Sequence, residues 1–314
     1  MPVREGHQGD GERPDRRGVG SHAPQTVAAA VGEIAAMLGH AGIDDPLGEA
    51  RRLVAAACGI DAVALIVDGG RQLVAAEAER IEDYAARRAA HAPLSRILGE
   101  RWFHGRPFAL SAGTLDPRCD TETVVELALD LARQAGADER PLAIADVGTG
   151  SGAILVTMLA ELPLARGFGI DISVDALATA RRNAITHGVE KRARFEQRDI
   201  ADGLPGTFDV VVSNPPYIPS GDIAGLAAEV RLYDPVAALD GGADGLAYFR
   251  LLIAAADAIL PGGWLVVEVG AGQADDVARL MRERWPGGLI RTACDLGGHT
   301  RAVAGQPLSA DDRE

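Results

Sequence analysis

The run VVSNPPYIPS, Val211 to Ser220, ends an apolar stretch in an asparagine, two prolines and a tyrosine. Proline lacks the N–H that a sheet ladder uses and fixes φ, so Pro215 and Pro216 stop a strand and stiffen the residues after it. The carbonyls there are left to bind something other than a neighbouring strand. Asn214 brings one carbonyl acceptor and one amine donor, and the Pro215 carbonyl is next to it. Two such acceptors can hold both hydrogens of a planar –NH₂ group, whose lone pair is otherwise delocalised into the adjoining carbonyl or ring. Holding both N–H bonds polarises the nitrogen and aims its lone pair at an electrophile, so the work rests on positioning and electrostatics more than on a general base. Tyr217 can stack on the flat group. The plain alternative is a proline-stiffened loop in which Asn214 caps its own turn.

A second group lies upstream. In ADVGTGSGAI, the residues Gly148, Thr149, Gly150, Ser151 and Gly152 follow an apolar run and precede a helical pattern beginning near Ser151. Missing side chains let a ligand approach the backbone, and a helix N-terminus offers unpaired N–H groups. Gly148, Gly150 and Ala153 also satisfy the looser dinucleotide pattern, with Asp171 at roughly the expected 20 residues on. This loop therefore suits NAD and S-adenosylmethionine alike, with Asp171 accepting from two ribose hydroxyls in either case. Asp199 stands at the end of a third strand, where an adenine amine could donate to it, and Ile200 beside it could cover the ring. An Asp at a strand end also serves as a cap or turn residue. The amide clamp decides between the cofactors, because the electrophile it calls for is a methyl on a sulfonium and nicotinamide has no use for it. S-adenosylmethionine is the expected cofactor.

These residues need a scaffold that brings strand ends together. LAIADV, GFGIDI, ARFEQRD, FDVVVSN and WLVVEVG alternate with helical segments, the βαβ signature of a parallel sheet covered on both faces. The expected fold is α/β, a doubly wound Rossmann-like sheet. LIRTACDLGGHTRAVAG adds two strands as an antiparallel hairpin at one edge. SNPPY follows the fourth strand, on the far side of the first from the second, and so borders the crevice where strand order reverses. From Pro24 to about Ala90 the pattern is helical: Val27, Val31, Ile34 and Leu38 share a face, Asp45 and Pro46 open a second helix ending at Gly59, and a third runs from Ala75 to Ala90. The spacing thus divides the chain into a disordered tail (1–22), a helical domain (23–91), a β-hairpin connector around Gly99 and Gly105 (92–114), a catalytic domain (115–306) and a short tail (307–314). Residues 218–247 are long and poor in pattern, which suits a lid or substrate loop. Thr121 and Glu122 could either start a helix or meet substrate.

With 314 residues there is enough chain for a core in each part, and an aromatic share of only 4% suits an Ala-, Val- and Leu-rich α/β protein. Net charge is −14, which disfavours a lasting hold on a phosphate backbone. Cys58, Cys119 and Cys294 form no C-x-x-C pair, and His104, His187 and His299 have no ligand-spaced partner, so neither a disulfide framework nor a metal site is expected. The first residues lack an apolar segment of signal-peptide type, and no apolar run reaches the length of a membrane span. The expected location is the cytoplasm.

DVGTGSG, GIDIS and SNPPYIP resemble class I methyltransferases acting on planar nitrogen. PLSRILGERWF, LDPRCDTETVVELAL, EVRLYDPVAALDGGADGL and DLGGHTRAVAG extend the likeness, from about Pro24 to Gly305, to the release factor glutamine methyltransferases of the PrmC/HemK family. The resemblance implies N5-methylation of the glutamine in the Gly-Gly-Gln loop of class I peptide chain release factors. It places cofactor contacts at Gly148 to Gly152, Asp171, Asp199 and Ile200, and the amide clamp at Asn214 to Tyr217. On that reading the helical domain, which lies outside the catalytic part, is expected to recognise the release factor. Asp116 and Cys119 depart from the family's usual apolar residue and proline around Pro-Arg. Other readings are methylation of a ribosomal-protein glutamine, amino methylation of a nucleic-acid base, and a cofactor-binding scaffold without turnover.

Overall fold

The computed structural model describes residues 26–308, so the tail expected over 1–22 and all but the first two residues of that over 307–314 lie outside the described residues. Two compact units divide between Ala86 and Arg87.

In the first unit, α1 (Val27–His40) starts at Thr26, whose hydroxyl accepts from the Ala29 N–H at 3.2 Å. It buries Val27, Ala30, Ile34 and Leu38, while Val31 is only half-buried. In α2 (Pro46–Cys58), Asp45 accepts from the Gly48 N–H at 3.0 Å, Pro46 occupies the first turn, and Gly59 ends the helix at φ 63°. A short α3 (Ala62–Val67), capped by Asp61, has too few residues to show periodicity in sequence. Next comes α4 (Ala75–Ala89).

The second unit begins with α5 (Leu94–Leu98), a single turn ended by Gly99 at φ 73°, where the sequence suggests only a hairpin. The hairpin itself follows as β1 (Glu100–Phe103) and β2 (Arg106–Ala109), antiparallel. His104 and Gly105 at its tip have φ of 48° and 71°. That is the positive-φ pair a two-residue hairpin turn needs. The His104 N–H is held by Glu122 Oε1 at 2.8 Å.

Beyond the hairpin run α6 (Glu122–Gln134), β3 (Ala143–Val147), α7 (Ala153–Glu161), β4 (Arg166–Asp171), α8 (Val174–Thr186), β5 (Ala193–Gln197) and β6 (Val210–Ser213). The chain continues with α9 (Ala228–Tyr233), α10 (Ala247–Ile259), β7 (Trp264–Glu268), α11 (Ala274–Arg284), β8 (Leu289–Cys294) and β9 (Thr300–Gln306). The seven strands are ordered β5-β4-β3-β6-β7-β9-β8, parallel through β7 and antiparallel at β9 and β8. The C-terminal hairpin is therefore present, with β9 inside and β8 at the edge. Val210, Val211 and Val212 are fully buried, as expected of a strand covered on both faces. One face packs on Val124, Leu129, Leu155 and Met158, the other on Phe249, Leu252, Ile253 and Met281. Gly169 lets β4 fit against β5: a Cβ there would stand 2.7 Å from the Phe195 ring.

One side chain ties the hairpin to the loop after β3. Asn183 of α8, 1% exposed, accepts from the Ala109 N–H at 2.9 Å and donates to the Ala109 carbonyl at 3.0 Å and the Ser151 carbonyl at 2.8 Å. Asn183→Ala removes all three bonds and leaves their backbone partners unpaired. Urea unfolding should show a loss of about 3 kcal/mol. Wild-type stability would refute this pinning role.

Candidate active site

Because β4 and β6 flank β3 on opposite sides, the loops leaving β3 and β6 part at the carboxyl end of the sheet. The Ser213 hydroxyl donates to the Val147 carbonyl at 2.7 Å and pins the two strand ends together. The loop after β3 turns on Gly148, Gly150 and Gly152, at φ 72°, 56° and 80°. Its N–H groups at Gly148 and Thr149 both donate to the Ile170 carbonyl at 2.9 Å, and the Thr149 hydroxyl donates to Asp146 Oδ2 at 2.7 Å. Burial pushes the Asp146 carboxyl up to about 7, against the Thr149 hydrogen bond. The helix begins at Ala153, two residues later than the sequence suggests.

Asp171 closes β4. Its Oδ2 accepts from the Gly150 N–H and its Oδ1 from the Ser173 N–H, each at 2.9 Å. The carboxylate is thus fixed from the glycine loop and from the start of α8. Asp199 accepts from the Ala201 N–H at 2.9 Å through Oδ1, so it caps the short 3-10 turn Ile200–Asp202; Ile200 is buried.

After β6, Asn214 does not cap its own turn: its Nδ2 donates to Thr121 Oγ1 at 3.3 Å. Pro215 is buried and Pro216 half-buried. Tyr217 donates its hydroxyl to Glu268 Oε1 at 3.2 Å, and its carbonyl accepts from Gln273 Nε2 at 2.9 Å. Burial, then the Glu268 charge, raises the Tyr217 hydroxyl far above its ordinary pKa. Burial likewise pushes Glu268 up to about 7, opposed by the nearby hydroxyls of Thr121 and Tyr217, of which Tyr217 is hydrogen-bonded to it.

Two cavities result. The larger, about 270 Å³, brings together Gly148, Gly150, Asp171, Asp199, Ile200, Asn214, Pro215 and Pro216. Thr149, Ser151 and Gly152 shape its loop without lining it. Tyr217 instead lines a neighbouring cavity of about 180 Å³, with Arg118, Asn214 and Glu268. Leu115, Asn214 and Ala238 line both, and Asn214 is the polar member of the three. Residues 218–247 wall both cavities through Leu226, Val230, Pro235 and Ala238.

Several residues of this site lie beyond the sequence-based expectations. Asp234, its side chain 2% exposed, accepts from Arg96 at 2.8 Å and Arg118 at 2.7 Å, so Arg118 is anchored at the mouth of the smaller cavity. Asp116 is buried against the Ser95 hydroxyl at 2.5 Å, which accommodates the departure from the family pattern, and Cys119 is exposed. Glu122 starts α6 and holds the hairpin tip, lining neither cavity. Glu268 has a visible signal, an acid inside the apolar run WLVVEVG; Thr121 reads as a helix start or a substrate contact, and Asp234 has no signal.

Family models match twice: the PrmC N-terminal domain over residues 29–99 and a methyltransferase domain over residues 138–244. The chain is 47% identical to a release factor glutamine methyltransferase of Bradyrhizobium diazoefficiens, covering 90% of this chain and 96% of that one. A protein of the same name from Rhodospirillum rubrum is 45% identical (86% and 82% covered), and one from Cereibacter sphaeroides 42% (90% and 97%). Among solved structures, the hMettl16 catalytic domain in complex with a MAT2A 3'UTR hairpin superposes with a TM-score of 0.52 at 15% identity, over 73% of this chain and 83% of that one. The fold is that of a class I methyltransferase with a helical N-terminal region. Its sheet order, both family models and relatives alike over nearly their whole length agree: the chain belongs to the release factor glutamine methyltransferase family.

Proposed function

We propose that this protein transfers a methyl group from S-adenosylmethionine to the N5 amide nitrogen of the glutamine in the Gly-Gly-Gln motif of class I peptide chain release factors. The observation that carries this reading is the place of Asn214, a single amide on the wall common to two cavities.

The larger cavity fits the cofactor's chemistry. At Gly148 a Cβ would meet nothing within 4 Å, so the backbone there faces open space. Asp171, fixed by two backbone N–H groups, presents its carboxylate on the same wall for ribose hydroxyls. Asp199 and Ile200 would receive the adenine amine and ring, and Thr149, Ser151 and Gly152 keep the loop in shape. When bound, S-adenosylmethionine supplies an electrophilic methyl on a sulfonium.

The chain's own residues hold the nucleophile. Asn214 Nδ2 is engaged by Thr121, which leaves Oδ1 as the acceptor for one hydrogen of the substrate amide. The Pro215 carbonyl takes the other, and Pro216 stiffens the backbone that carries both. Tyr217, its hydroxyl held by Glu268, offers a fixed ring against the planar amide. Two accepted hydrogen bonds draw the nitrogen lone pair out of conjugation and direct it across Asn214 towards the larger cavity.

The helical region, residues 23–91, serves recognition of the release factor, while residues 115–306 carry the chemistry. With a net charge of −14 the protein is expected to make no lasting complex with nucleic acid. Among the described residues no helix is long and apolar enough to cross a membrane, and the release factor substrate places the work in the cytoplasm.

The first experiment is transfer of label from S-adenosylmethionine to purified release factor and to the same factor with Gln→Ala in its Gly-Gly-Gln loop. Label is expected on the first alone; label on neither would redirect the clamp to a ribosomal protein or a nucleobase. In the same assay Asn214→Ala should slow turnover by at least ~100-fold, the scale of a lost positioned electrostatic group. A wild-type rate would sink the clamp. For the helical region, amide exchange in α1 to α3 should slow when release factor is added, and unchanged exchange would remove it from recognition.

A further inference from the structure

At Tyr217 the chain has already left the sheet, so the place of the ring has to be set by groups outside β6. They come from the turn that follows β7, the strand next to β6. That turn runs from Glu268, the last residue of β7, to Gln273, which stands just ahead of α11. Gln273 occupies the position from which a side chain ordinarily caps a helix, yet it makes no side-chain cap bond to α11. Its amide is engaged elsewhere: Oε1 accepts from the Gly270 N–H at 3.0 Å, and Nε2 donates to the Tyr217 carbonyl at 2.9 Å. Both partners are main-chain groups, one able only to donate and the other only to accept, so a single orientation of the amide makes both bonds.

A tyrosine ring held at its hydroxyl alone can still turn about its long axis and shift at its root. Glu268 Oε1 accepts from the Tyr217 hydroxyl at 3.2 Å and fixes where the ring points. Gln273 holds the root, because the carbonyl it binds belongs to Tyr217 itself. Gly270 limits the turning: a Cβ there would stand 3.0 Å from Tyr217 Cδ2 and 3.3 Å from Cε2, so that side of the ring lies close against bare backbone. The same Gln273 amide fixes this backbone through the Gly270 N–H. Over the bond to Tyr217 lies Gly245, at φ 73°, where a Cβ would come within 2.5 Å of the Tyr217 oxygen and 2.7 Å of Gln273 Nε2. The chain at Gly245 thus closes over the bond with no side chain in between.

We propose that Gln273 is a positioning residue for methyl transfer: one amide fixes both the main chain that carries Tyr217 and the backbone on which its ring lies, and so sets how the ring faces the smaller cavity. That role rests on the reading of Tyr217 as the ring against the substrate amide. Gln273 lines neither cavity, so it acts through Tyr217.

The test centres on Gln273→Glu, which keeps the side-chain length and an acceptor for the Gly270 N–H but sets a second acceptor against the Tyr217 carbonyl. Its charge suits the N-terminus of α11, so Tm should stay near wild type. With release factor as substrate, kcat/KM should fall about tenfold, the scale of one lost hydrogen bond. Cofactor Kd should not move, since Tyr217 does not line the larger cavity. Gln273→Ala, which removes both bonds, should lose at least as much activity. A residue that only braces the turn predicts a near-wild-type rate for the glutamate variant, which retains the bond inside the turn. The Tyr217 ring signals of ¹³C-tyrosine-labelled protein, observed without substrate, should shift in both variants. In a Tyr217→Leu background, where no ring is left to set, Gln273→Glu should cost nothing further. Wild-type kcat/KM in Gln273→Glu would overturn the assignment, as would unmoved ring signals or the same tenfold loss in the leucine background. Failure of the functional reading is distinct, because it appears in the wild-type protein as no label on release factor.

Discussion

Everything at this site depends on how β3 is flanked. The chain leaves β3 to build β4 and β5 on one side and returns at β6 on the other, so the loops at the two carboxyl ends are driven apart. The gap cannot close, because Val210 to Val212 and the β3 residues Ile144 and Ala145 are fully buried and fix the spacing of the strands beneath it. A glycine turn borders one side of the gap and a proline-stiffened turn the other. Each turn is held from below by a side chain that spans strands or turns back on its own: Ser213 on the Val147 carbonyl, and Thr149 on Asp146.

Around the gap, buried polar groups do what the sheet ladder does elsewhere. Segments 111–121 and 226–238 belong to no strand pairing, and buried side chains help to set their positions. Asp234 gathers Arg96 and Arg118, Asp116 takes Ser95, Glu268 takes Tyr217, and Thr121 takes Asn214. Burying such groups costs free energy, and their net contribution to stability is small when paired. What they supply is geometry: each fixes a loop at one place on the cavity wall, where an apolar contact would allow it to slide. That Asp146 and Glu268 are both pushed up to about 7 by burial is the electrostatic mark of this arrangement.

The parts legible in sequence are those with a local signature. The inner parallel strands stand out because strands buried on both faces are largely apolar runs, the edge strand β5 (ARFEQ) is legible only by its place in the alternation with helices, and the glycine loop and Asn-Pro-Pro-Tyr stand out because backbone geometry restricts residue type. The helices α3 and α5 do not, since six and five residues cannot display a period. Asp199 shows the limit of reading one residue at a time: as a cap and as a cavity-lining group it looks the same in sequence, and in the structure it is both. Thr121 is 93 residues from Asn214, and Arg96 is 138 from Asp234. Pairs so distant leave no pattern in a single chain, and a threonine before a helix reads as a cap. Tyr217 is conspicuous beside the prolines, but a strand end does not reveal which of two cavities the next side chain will enter.

That distribution gives the two cavities different characters. The larger holds the backbone turn and the fixed carboxylate of Asp171, features suited to a ribose and a cationic ligand. The smaller holds an aromatic ring, an anchored arginine and the apolar residues Leu226, Val230 and Leu239, features suited to a peptide segment. Leu115 and Ala238 separate them without chemical preference. The selectivity of the boundary therefore lies in the remaining shared residue. On the proposed reading, an amide at that point would hold a group that donates two hydrogens in a plane and leave its nitrogen lone pair directed out of that plane. Substrate selection and activation would then be one act of binding.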